Sequence, residues 1–141
     1  MSKPVFPVII TTVENQTATV NAVFDSGSYP TIIRQDKLPP GQINNYLIPT
    51  IYRGAVQGSK LEVIGVTRLI VEYNNHQFYV WAEVSPQLSS DMLIGASSMQ
   101  QWDISITNKN GKTDIHIAHD RRDPELNIIE ELNSLTNPNL L

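Results

Sequence analysis

Ala22-Val23-Phe24-Asp25-Ser26-Gly27-Ser28 is the stretch whose reading decides the fold. An apolar run enters a carboxylate, a hydroxyl and a glycine with no spacer. Upstream, Thr17, Thr19 and Asn21 alternate with Ala18, Val20 and Ala22, the period of two of a half-buried strand. Val23 and Phe24 are expected to break that alternation as the strand enters the core. Asp25 then stands at the edge of the core. Gly27 permits close backbone approach, so its N–H can point at the carboxylate. Ser26 can lock the loop onto a neighbour, and Ser28 can reach the outer carboxylate oxygen. By itself, Asp-Ser-Gly-Ser reads first as a strand-ending turn, because these are ordinary turn residues.

Working outward, strand signals are dense. Val5 to Val13 reads as a strand with prolines confined to its start. Thr31 to Arg34 is a short apolar run, and Tyr46 to Arg53 is extended, with Pro49 marking an edge. Gly54 to Ser59 is a glycine-bounded turn, and Leu61 to Tyr73 a long strand with a bend expected at Gly65. Asn74-Asn75 turns it back into His76 to Val84. Met92-Leu93-Ile94 ends at Gly95, and Ala96 to Trp102 is a short helix. Asp103 to Thr107 and Thr113 to Ala118 flank a hairpin turn. Asp123-Pro124-Glu125 opens a C-terminal helix whose Leu126, Ile129, Leu132 and Leu135 share one face. The expected architecture is all-β, a barrel or sandwich, with residues 1–120 as one domain and 121–141 as a helical tail.

Composition narrows the chemistry. The 141 residues suit one domain, 40% are hydrophobic and only 17% are charged. Ten Lys and Arg against fourteen Asp and Glu give a formal charge of −4, which argues against nucleic acid or an anionic membrane as partner. There is no cysteine, so disulfides, thiolate metal sites and a Cys nucleophile are excluded. Three scattered histidines offer no zinc cage, and no G-x-S-x-G elbow supports a serine hydrolase. No cofactor or metal is expected. No run of about 18 apolar residues offers a membrane span. The N-terminal apolar run is too short for a signal peptide, so the cytoplasm is the default location.

Three elements in order carry a resemblance over residues 5–107. Two apolar residues precede Asp25-Ser26-Gly27-Ser28. A glycine-bearing hairpin follows at Tyr52 to Leu61. Leu93-Ile94-Gly95 then leads into the helix from Ala96 to Trp102. Together they resemble the retropepsin-like aspartic proteases. In that family an Arg, Asn or Asp often follows the motif glycine, where this chain has Ala96-Ser97-Ser98.

The resemblance implies a closed retropepsin-like barrel and an aspartic endopeptidase. It implies Asp25, Ser26 and Gly27 as catalytic-loop residues, with Ser28 and the flap residues Ala55, Val56, Gln57 and Gly58 against the peptide. Such chemistry needs two carboxylates sharing a proton. Asp36, Asp91, Asp103, Asp114, Asp120 and Asp123 lack a following Ser/Thr-Gly. The expectation is therefore a homodimer with one Asp25 from each copy. The rival reading is a weak or inactive module of the same fold that binds peptides or dimerises.

Overall fold

A computed structural model describes residues 3–41, 43–53 and 60–122 of the chain. Nine strands and one short α-helix are found among them. Strands β1 (Val5–Thr12) and β2 (Thr17–Asp25) form an antiparallel hairpin. They are followed by β3 (Thr31–Arg34), β4 (Asn44–Arg53), β5 (Lys60–Tyr73), β6 (His76–Ser85) and β7 (Met92–Gly95). Helix α1 (Ala96–Gln101) leads to the hairpin β8 (Ile104–Lys109) and β9 (Lys112–Ile117).

Six strands close on themselves in the order β1-β2-β7-β3-β6-β5, because β5 pairs back to β1 with Ile10 opposite Val71. Closure removes the free edges that an open sheet would expose. Two pairings in the ring are parallel: β2 with β7, and β3 with β6. The ring is lined by Val8, Ile10, Val20, Phe24, Ile33, Phe78 and Ile94, all buried. The β8–β9 hairpin forms its own sheet and turns Ile104, Ile115 and Ile117 into the same core. Asn74 and Asn75, both at positive φ, supply the tight β5–β6 turn. Among the described residues no helix is long and apolar enough to cross a membrane.

Two local expectations are corrected. The alternation in β2 does not break at Val23 and Phe24: Val20, Ala22 and Phe24 are buried in step, with Val23 half-buried between them. The strand stays in the barrel wall, where Val23 pairs with Val5 on one side and Leu93 on the other. The irregularity expected at Gly65 lies in its partner. Strand β4 pairs only with β5 in this sheet and shifts register between Asn45 and Thr50. Pro49, which has no donor to contribute, falls in that unpaired stretch. Gly65 is where the β4 backbone comes closest: a Cβ there would stand 2.6 Å from the Asn44 carbonyl. The C-terminal helix expected from Pro124 lies outside the described residues.

Candidate active site

Asp25 is the last residue of β2, and its side chain is only 12% exposed. Register places it beside Gly95, the last residue of β7. The turn that follows folds back on the carboxylate. Gly27 N–H donates to Asp25 Oδ1 at 2.9 Å, and Ser28 N–H donates to the Asp25 carbonyl at 3.2 Å. A Cβ on Gly27 would stand 3.2 Å from that same Oδ1, so a side chain there would press on the acid. The second oxygen, Oδ2, accepts from Lys3 Nζ at 2.7 Å.

The loop after Asp25 is strapped to the start of α1. Ala96 N–H donates to the Ser28 carbonyl at 2.6 Å, and Ser97 N–H to the Tyr29 carbonyl at 3.0 Å. Gly95 N–H donates to Thr31 Oγ1 at 3.2 Å. Thr31 Oγ1 and Ser98 Oγ are 2.6 Å apart and buried. These bonds satisfy amides at a helix start that would otherwise lack partners. They tie the loop carrying the carboxylate to the far side of the β2–β7 pair. Ala96-Ser97-Ser98 thus fills this helix start with two backbone donors and one hydroxyl.

Asp25 opens onto a cleft of about 650 Å³. Gly27, Ser28, Ile32 and Leu93 line its floor, and Tyr52, Arg53, Lys60 and Leu61 line it from the β4–β5 hairpin. Asp25 is the only carboxylate among the described lining residues. Tyr52 is held in place by Glu83 on β6: its hydroxyl donates to Glu83 Oε2 at 2.6 Å, while Tyr46 donates to Oε1 at 3.2 Å. Burial, then the hydrogen bond to the Glu83 carboxylate, pushes the Tyr52 phenol up to about 12. Glu83 thereby fastens the edge strand β4 to the barrel wall.

The sequence-derived residues fare differently. Asp25, Gly27 and Ser28 come together at the cleft. Ser26 is exposed at the outside of the turn. The Ser28 hydroxyl faces the Pro30 carbonyl at 3.4 Å, so the side-chain reach to the carboxylate expected from sequence is not made. Its backbone points inward instead, because the turn needs that N–H on the Asp25 carbonyl. Ala55, Val56, Gln57 and Gly58 lie outside the described residues. Sequence reasoning missed Lys3, Thr31, Ser98, Arg53 and Lys60. For the last two a signal was present: they flank the six residues Gly54 to Ser59, so a symmetric hairpin puts them opposite each other.

A closed six-stranded barrel with a carboxylate at the end of β2, strapped to a Gly-led short helix, defines the retropepsin-like fold. The family model for retroviral aspartyl protease matches residues 1–107, and the chain belongs to that family. Solved structures agree on the fold. The EIAV protease complexed with the inhibitor HBY-793 has 14% identity and a TM-score of 0.53, covering 71% of this chain and 88% of that one. The retroviral protease-like domain of Ddi1 from Leishmania major has 18% identity and a TM-score of 0.54, covering 81% and 90%. No curated protein matches the chain.

Proposed function

We propose that the chain is an aspartic endopeptidase that works as a homodimer, with one Asp25 carboxylate from each copy. The observation that carries this reading is that the cleft contains one described carboxylate, on the loop that the family uses, while the chemistry needs two. A two-fold axis through the Asp25 loops brings identical acids together. Two carboxylates so close cannot both ionise, so the pair holds one proton. The ionised member takes a proton from water, and the water oxygen bonds to the peptide carbonyl carbon. The protonated member gives its proton to the carbonyl oxygen. Collapse of the tetrahedral adduct then breaks the C–N bond, and the amine leaves with a proton from the dyad. The Gly27 N–H on Oδ1 orients the base, and the β4–β5 hairpin covers an extended peptide.

In the proposed dimer the second acid takes over the Asp25 oxygen, Oδ2, that Lys3 contacts in the single chain. The Lys3 side chain is 62% exposed, so its ion pair with Asp25 is worth at most about 1 kcal/mol after solvent screening. A second copy can displace it cheaply. The same contact favours a second reading, a peptide-binding or dimerising module whose carboxylate stays neutralised by Lys3. Asp25→Asn separates the two. Loss of peptide cleavage by at least about a thousandfold, with folding and dimerisation retained, is expected of the enzyme. Cleavage that survives the substitution refutes it. Specific activity that does not fall on dilution through the dimer–monomer transition, followed by sedimentation, refutes the shared site.

A further inference from the structure

The entrance to the Asp25 cleft carries a charge arrangement that folding does not explain. Arg53 on β4 and Lys60 on β5 are register partners, directly opposite across the hairpin. Like charges so placed repel and destabilise the pair. Both line the cleft and both are exposed. Neither side chain has an ion-pair or hydrogen-bond partner among the described residues, although the chain carries fourteen acidic residues against ten basic ones. Glu62, two residues along β5, joins neither cation in an ion pair. Lys3 adds a third cation to the same cleft, whose one described carboxylate, Asp25, it already contacts. An acidic chain therefore presents a cationic cleft, with two positive charges held together and unsatisfied beside the reactive carboxylate.

We propose that Arg53 and Lys60 select an acidic substrate: an extended peptide carrying Asp or Glu close to the bond that Asp25 attacks. The inference rests on the peptidase reading and supplies its substrate class. A peptide carboxylate between the two cations relieves their repulsion. Arg53 can present a planar fork to both carboxylate oxygens, and Lys60 a compact charge. Because both groups are solvent-exposed, the gain is modest and salt-sensitive. It acts on encounter and register along the peptide more than on the chemical step.

The test uses oligopeptides that differ only in a Glu, Gln or Lys placed in turn at each position flanking the cleaved bond. For at least one position kcat/KM is expected to favour Glu over Gln by about fivefold to tenfold, and Lys to be poorest. The preference should shrink as ionic strength rises. The paired charge reversal Arg53→Glu, Lys60→Glu should invert the order and favour Lys. The milder Arg53→Gln, Lys60→Gln should level it. Equal cleavage of Glu and Gln forms at every position overturns the proposal. So does a charge-reversed protein with the original preference. The same peptides are also titrated calorimetrically onto Asp25→Asn. Tighter binding of the Glu form there supports the cationic site even where no cleavage occurs, in which case only the peptidase reading fails. Equal binding there, together with cleavage by the unaltered protein, removes the selectivity and leaves the peptidase standing.

Discussion

Gly95→Ala is expected to be among the most damaging single-methyl additions the barrel can receive. Gly95 has φ −94° and ψ −179°, extended values that any residue adopts, so backbone conformation does not demand glycine there. Space does. A Cβ would stand 2.2 Å from the Pro30 carbonyl oxygen, 2.6 Å from that of Tyr29 and 2.7 Å from the Pro30 carbonyl carbon. Ordinary contact lies near 3.5–4.0 Å, so the loop must retreat by more than about 1 Å. All three clashing atoms are backbone, which cannot rotate away as a side chain would. Retreat stretches the strap of Ala96 to Ser28, Ser97 to Tyr29 and Gly95 to Thr31. Overpacking costs about 1–3 kcal/mol, and each stretched bond about 1 kcal/mol. The sum is about 4–6 kcal/mol, a large part of a domain stability of about 5–15 kcal/mol.

Urea denaturation followed by the fluorescence of the buried Trp102 measures this. The midpoint should fall with an unchanged slope. Gly41→Ala is the control: the nearest atoms to its Cβ are those of the Thr12 side chain at 3.6 Å, an ordinary contact, and the change should stay within about 0.5 kcal/mol. A Gly95→Ala protein within about 1 kcal/mol of the unaltered chain would refute the close-approach reasoning. It would also mean that the loop beside Asp25 is looser than its hydrogen bonds indicate.

Thr31→Val removes the hydroxyl that joins Gly95 N–H to Ser98, leaving buried polar groups unpartnered at nearly constant shape. A loss of about 1–3 kcal/mol is expected in the same assay, with Thr31→Ser restoring most of it. Asp120 accepts from the Arg122 guanidinium and from the backbone N–H groups of Arg122 and Gln77. Those partners, Arg122 foremost, hold its carboxyl well below the usual carboxylate range. A depressed folded-state value makes its stabilisation complete above about pH 4 and progressively lost as the pH falls below that. Asp120→Asn should therefore cost about 1–2 kcal/mol at pH 7 and flatten the fall of the melting temperature in acid. Parallel acid limbs for the two proteins would exclude Asp120 as a contributor.

Much of the fold was legible because local patterning and tertiary packing agree. The alternation from Thr17, the Asn74-Asn75 turn and the Leu93-Ile94-Gly95 stop each describe one element, and each holds. Asp25 was legible for the same reason, as an acid at the end of a strand. Other features depend on contacts far apart in the chain. Nothing near Thr31 announces that its hydroxyl meets Ser98, 67 residues later. Gly95 reads as a strand stop by sequence and proves also to be the point where the Tyr29–Pro30 backbone comes closest. Ser28 was expected to turn its hydroxyl to the carboxylate, yet the turn uses its N–H and leaves the hydroxyl to Pro30.

By itself the sequence determined strand positions, the carboxylate proposed to act and the lack of a second Asp in the same Ser-Gly motif. These follow from side-chain periodicity and residue chemistry, which are local. Only the tertiary structure decided what surrounds that carboxylate. Closing the ring through β1 and β5 and setting β2 parallel to β7 bring Gly95 and α1 against the Asp25 loop. Folding the β4–β5 hairpin back brings Arg53 and Lys60 to the same cleft, and the path of the N-terminal segment brings Lys3. Those neighbours come from separate segments of the chain. Long-range strand pairing is what puts them within reach of one acid.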